Sequence, residues 1–356
     1  MRLNLDDWEA AALQRLDPMT ATYYASGSRD QRTLAANRRG WQAWALRHRV
    51  LVDVSQASTA TSVLGRPLAH PILTAPTAFH GLAHPEAEAA TARGTREAGG
   101  LMVLSTLSNT PVEAIAAASA RCWLQLYVYR DREATGALVD RAREAGCEAL
   151  VLTCDAAVLG TREGDVRTGF HLPAHLDLPN VAGDARALPR AEGDSGLGSY
   201  VAQQLDPSLT WDDLAWLRER SRLPLILKGI VRGDDARRAV DAGVAGIVVS
   251  NHGGRQLDAG VATAQALTEV VQAVDSACEV YVDGGIRRGT DVLVALALGA
   301  TAVLVGRPVL WGLAVDGAEG VQAVLHQLQG ELLEAMRLAG APTRSTITRD
   351  LVTKQP

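Results

Sequence analysis

From residue 71 onward the chain repeats one pattern: a short, uninterrupted apolar run, then a longer stretch with apolar residues at helical spacing. The runs are "PILTA", "LMVLS", "CWLQLY", "EALVLT", "PLILK", "GIVVS", "EVYVD" and "AVLVG". Runs this short and apolar suit strands buried on both faces, as in a parallel sheet. Between them, residues 86–98, 131–145, 234–242 and 288–298 read as helices, several followed by the glycine common at helix C-termini. Eight strands alternating with helices predict a (β/α)8 TIM barrel.

In such a barrel the C-terminal strand ends build the active site. These ends are predicted at Thr77, Ser105, Gln125, Thr153, Lys228, Ser250, Asp283 and Gly306, nearly all of them polar. Successive ends lie 20 to 33 residues apart except for the 75 residues from Thr153 to Lys228, so an insertion follows the fourth strand. Its part 171–208, rich in Gly, Pro, Ala and charge, is expected to be a flexible, lid-like loop over the barrel mouth. Residues 1–70 are expected to form short helices and an extended segment capping the bottom or side of the barrel, 71–340. The whole of 1–356 then reads as a single domain.

Composition narrows the function. A net charge of −5 with dispersed Lys and Arg gives no field for nucleic acid. The four cysteines form no CxxC, which predicts neither a metal site nor a disulfide framework and suits the cytoplasm. The longest uncharged apolar stretch, 292–306, has 15 residues, short of a membrane span. The expectation is a soluble protein without membrane or nucleic-acid partners.

Glycines after the last two strands, in "DGGIRRGTD" and "VGRPV", precede helix starts and bring Arg287 and Arg307 with them. That arrangement suits a phosphate. Lys228 ends an apolar strand, so its ammonium needs an anion nearby. In "SNHGGRQLD", residues 250–258, His252 supplies a group that titrates near neutrality, and Arg255 a guanidinium able to grip a carboxylate with two bonds. Asp155, in "LTCDAAVLGTRE", is placed to orient His252, and Arg162 to offer a second carboxylate clamp. Taken singly, His252 also reads as a satisfied loop histidine and Arg162 as a surface charge. Asp258 reads as a loop-stabilising hydrogen-bonding residue.

Together these motifs resemble the FMN-dependent L-2-hydroxy acid oxidases and dehydrogenases, the family of glycolate oxidase, lactate oxidase, flavocytochrome b2 and mandelate dehydrogenase. "YYASGSRDQRTLAANR", "APTAFHGLAHPEAE", "WLQLYVYRDR", "LPLILKGI", "DGGIRRGTDVLVALALGA" and "VGRPVLW" extend the resemblance over nearly the whole chain. It implies FMN lined by Pro76, Thr77, Ala78, Ser105, Gln125, Thr153, Lys228 and Ser250, with Asp283, Gly285, Arg287, Gly306 and Arg307 at the ribityl and phosphate. It further implies His252 as base oriented by Asp155, with Lys228 stabilising the reduced ring. Tyr23, Arg162 and Arg255 would bind the substrate carboxylate, and Tyr127 its hydroxyl. Where glycolate oxidase has tryptophan this chain has Leu107, which shifts the expectation toward L-lactate or a larger aliphatic or aromatic acid, with Phe79 as another pocket residue. Dioxygen is the expected acceptor and a homotetramer the implied assembly. The alternatives are a dehydrogenase using another acceptor, an FMN-containing barrel isomerase, and a retired flavin-binding protein.

Overall fold

The structure, a computed structural model, describes residues 2–119, 121–181 and 196–355. Eight parallel strands close into a barrel: β1 (Ile72–Thr74), β2 (Met102–Leu104), β3 (Cys122–Leu126), β4 (Leu150–Thr153), β5 (Leu225–Ile230), β6 (Gly246–Val249), β7 (Glu279–Val282) and β8 (Ala302–Val305). β8 pairs back onto β1 with Val303 opposite Ile72 and Val305 opposite Thr74. The eight predicted runs are these eight strands. Thr77 is the exception among the predicted ends: its strand stops at Thr74, and it sits in the following loop.

The barrel interior is packed with Leu73, Val103, Trp123, Val151, Ile226, Val248, Tyr281 and Leu304. Trp123 and Tyr281 meet edge to face at 5.6 Å. The antiparallel hairpin Thr61–Val63 and Arg66–Leu68 plugs the N-terminal end, delivering Val63 and Leu68 to this core. With the bottom filled, only the C-terminal end is left to hold a ligand.

The outer helices follow local rules. Residues Arg132–Glu144 form a helix capped by Asp131, whose side chain accepts from the Glu133 and Ala134 amides. In Gly233–Asp241 the acidic Asp234 and Asp235 complement the positive first turn. Residues 1–70 do not confine themselves to the bottom or side. Helices α1 (Leu5–Arg15), α2 (Pro18–Ala25) and α3 (Arg32–Gln42) precede the hairpin, and α2 and α3 pack at the mouth, where Asn37 bonds Asn251 at 2.8 Å. Of the expected lid 171–208, residues 182–195 lie outside the described residues. Its later part is not loop but helix: Leu197–Gln204 buries Leu197, Tyr200 and Val201 at helical spacing. The Tyr200 and Tyr129 hydroxyls meet at 3.1 Å, and the Arg130 amide donates to the Gln204 carbonyl, which anchors the helix to the loop after β3.

Candidate active site

Adjacent strand ends present a connected row of polar side chains to the mouth. The Gln125 amide nitrogen donates to Thr153 Oγ1 at 3.0 Å, while its oxygen accepts from the Thr106 amide and Ser105 Oγ. Next in the row, Lys228 Nζ donates to Ser250 Oγ at 2.7 Å and pairs with Asp283 Oδ2 at 2.9 Å. Burial alone would discharge Lys228, but the Asp283 and Asp155 carboxylates outweigh it and push the ammonium above its ordinary value. The anion that Lys228 requires is therefore Asp283, which also lines the cavity. Ser250 stands behind Lys228 and takes no part in the cavity wall.

At the far end of the same cavity, Arg287, Arg307 and the start of the helix Arg307–Leu338 converge. Among the described residues no carboxylate lies within ion-pair distance of either guanidinium. Burial and neighbouring cations (Arg38 for Arg287, Arg255 and Arg287 for Arg307) press both below the usual arginine range. Arg307 gives its hydrogen bonds to the carbonyls of Tyr24, Gly253 and Ser26, whereas Arg287 Nε is buried without a partner. Two half-buried cations, an orphaned donor and a helix N-terminus fit an anionic phosphate. Gly306, which caps that helix, lines this end. Gly285 lines it too, but it is small for another reason: at φ 83°, a Cβ there would lie 2.4 Å from the Asn37 carbonyl oxygen of α3.

Between these regions His252 occupies the left-handed conformation, φ 58°, in a turn held by the Asn251 side chain accepting from the Gly254 amide. Its Nδ1 lies 2.9 Å from Asp155 Oδ1. Because a carboxylate only accepts, Nδ1 carries the proton and Nε2 keeps its lone pair. Burial lowers the imidazole's proton affinity; Asp155 works against this, and Lys228 and Arg162 reinforce it, so the ring is neutral near pH 7. Asp155 stands behind His252, outside the wall of this cavity.

Gln256, which the sequence reading passed over, ties the two loops together. Its amide nitrogen donates to the Asp155 and Val158 carbonyls and its oxygen accepts from the Gly160 amide. Gly229 clears space for the pair: at φ 111°, a Cβ would fall 2.8 Å from the Asp155 side chain. Gly229→Ala is expected to displace Asp155 and slow substrate oxidation about 10²-fold, with cofactor content retained. A turnover within twofold of the parent would show that Asp155 tolerates the shift.

Arg255 Nη1 donates to the carbonyls of Tyr23 and Ser26, and its guanidinium lies 4.8 Å over the Tyr23 ring. Arg162, from the loop after β4, is buried nearby with Nε unpartnered, and burial plus Arg255 draws it down to about 10. Tyr23 and Tyr127 complete this wall, both held protonated by burial. Pro76, Thr77, Ala78 and Leu107 also line the cavity, and Thr77 Oγ1 sits 2.6 Å from the buried His80 ring. Leu159, Leu197, Val201 and Leu205 make the remainder apolar. Phe79 does not reach the cavity; it packs behind Tyr23, ring centroids 5.7 Å apart. Asp258 lies outside the cavity, accepting from the Thr33 amide at 2.9 Å in the first turn of α3.

Missed by the sequence reading were Gln256, His80 and the apolar face of Leu197–Gln204. Only the last carried a signal, its i, i+3, i+4 spacing.

The family described as FMN-dependent dehydrogenase matches residues 12–354. An L-lactate oxidase from Nostoc sp. is 54% identical over 344 residues, covering 95% of this chain and 94% of that protein. Glycolate oxidase from Spinacia oleracea is 47% identical over 348 residues, covering 97% and 94%. A mandelate oxidase crystal structure with (S)-4-hydroxymandelic acid superposes with a TM-score of 0.95 at 44% identity, covering 99% of each chain.

Proposed function

The chain belongs to the FMN-dependent dehydrogenase family, and from that premise we propose that it oxidises an L-2-hydroxy acid to the 2-keto acid, passing electrons through FMN to dioxygen with release of hydrogen peroxide. FMN, when bound, supplies the two-electron acceptor; the protein supplies orientation, charge and a base. Arg162 and Arg255 would hold the substrate carboxylate, with Tyr23 beside them, and Tyr127 would donate to or accept from the 2-hydroxyl. His252 Nε2 would take up the proton, and Asp155 would stabilise the imidazolium that results. Lys228 would hold positive charge against the reduced cofactor in a dry site. The wall of Gln125, Thr153 and Thr77 suits the heteroatom-rich edge of a flavin, and Arg287 and Arg307 its phosphate.

The observation that carries this reading is the His252–Asp155 contact at 2.9 Å beside the buried guanidinium of Arg162 and the half-buried one of Arg255. Leu107 and the apolar residues around it favour L-lactate or a larger aliphatic or aromatic acid. Relatives named L-lactate oxidase and glycolate oxidase support dioxygen as acceptor. A homotetramer and a cytoplasmic location are carried by the family resemblance and by cysteines that, among the described residues, are all free.

The test is anaerobic mixing of the FMN-loaded protein with a panel of L-2-hydroxy acids, followed by dioxygen. Bleaching of the flavin band, then its return with stoichiometric peroxide, is expected. Failure of every acid to bleach it would overturn the substrate class. Bleaching without rapid return would overturn dioxygen as acceptor.

A further inference from the structure

One buried carboxylate has no part in the scheme above. Asp165 lies in the first turn of the helix Glu163–Thr168, directly after Arg162. Its Oδ2 is 3.9 Å from Arg162 Nη1, with the side chains 3% and 5% exposed. That is charge contact without a hydrogen bond, and both Asp165 Oδ1 and Arg162 Nε are buried without partners; burial raises the Asp165 carboxyl, while Arg255 and Arg162 both act to keep it charged. The helix packs closely on α2, where a Cβ on Gly164 would come within 2.7 Å of Thr22.

The charges facing the anion end can be counted. Arg162 and Arg255 bring two positive charges, Asp165 one negative, and Tyr23 and Tyr127 stay protonated. The remainder is one positive charge at this end of the cavity, where Leu107, Leu159, Leu197 and Val201 add apolar wall; of the other charged lining residues, Lys228 is answered by Asp283, and Arg287 and Arg307 lie at the far end. From this the geometry points to Asp165 as a positioning residue that competes with ligand for Arg162, sets the subsite to accept one carboxylate, and thereby selects monocarboxylic 2-hydroxy acids over dicarboxylic ones. The inference rests on the 2-hydroxy acid reading, but the two fail separately: flavin bleaching tests the first and ligand affinity the second.

Competition makes a prediction that a merely structural role would not. In Asp165→Asn the FMN-loaded protein should bind pyruvate, followed by perturbation of the flavin spectrum, about tenfold more tightly than the parent. Lactamide, which has no charge, should bind unchanged, and kcat should fall more than the rate of flavin reduction because keto acid leaves more slowly. Asp165→Glu, which keeps the charge, should restore the parent affinity. Pyruvate binding no tighter in Asp165→Asn, or lactamide tightening equally, would overturn the proposal. Should the variants not fold, the parent protein decides: 2-oxobutanoate should bind at least about tenfold more tightly than oxaloacetate, which places a carboxylate where the former has a methyl. Equal or tighter oxaloacetate binding overturns the assignment.

Discussion

His252→Ala is expected to retain FMN and to lose about 10³-fold or more in the rate of its reduction by substrate. Among the described residues His252 is the one imidazole in the cavity wall, and Asp155 holds its Nδ1–H, so Nε2 presents its lone pair as the proposed base requires. Retention of cofactor follows because the phosphate end, Arg287 and Arg307, lies on other loops. The pH dependence follows from the direction of the shift. Burial and the cations Lys228 and Arg162 depress the His252 value below 6.5 despite Asp155, so the base is fully available at pH 7. The rate of flavin reduction at limiting substrate should therefore fall only as pH drops through a value below the ordinary imidazole range. In Asp155→Asn that limb should move further down in pH while the maximal rate falls, since one raising influence is gone. A reduction rate in His252→Ala within tenfold of the parent would remove His252 from the role of base.

Lys228→Met should have the largest effect on the protein itself. The substitution leaves Asp283 buried beside an apolar side chain, with Oδ1 already unpartnered and Oδ2 deprived of its ion pair. Breaking a buried pair from one side typically costs about 3–5 kcal/mol. The midpoint of urea unfolding of the apoprotein should drop accordingly. Asp283→Asn in the Lys228→Met background should recover part of the loss, because the stranded charge is then gone. In the FMN-loaded variant, removal of the fixed positive charge should also lower the flavin reduction potential. An unchanged unfolding midpoint would mean that Asp283 finds another partner.

Much of the site was legible because barrel chemistry is periodic. Each strand ends at the mouth, so the polar residues closing successive apolar runs, from Ser105 and Gln125 through Thr153, Lys228 and Asp283, had to share one end of the molecule. What each does there was less legible. Gly285 reads as a phosphate glycine, yet its missing side chain makes room for α3. Lys228 and Asp283 read as separate cofactor contacts, yet they neutralise one another across the space between β5 and β7. Asp165 carries no signal in the sequence, and it is buried against Arg162.

The amino-acid sequence by itself determined the number and order of the barrel strands, the end at which polar residues gather, and the residue types that line it. These depend on local alternation and on the direction of parallel strands, which short stretches encode completely. Only the tertiary structure decided that α2 and α3 cover the mouth, that Leu197–Gln204 closes its side, and which carboxylate answers which cation. Those outcomes join residues far apart in the chain, such as Asn37 with Asn251 and Asp155 with His252. A buried charge takes whichever partner the packed fold brings within reach, and no local pattern encodes that choice.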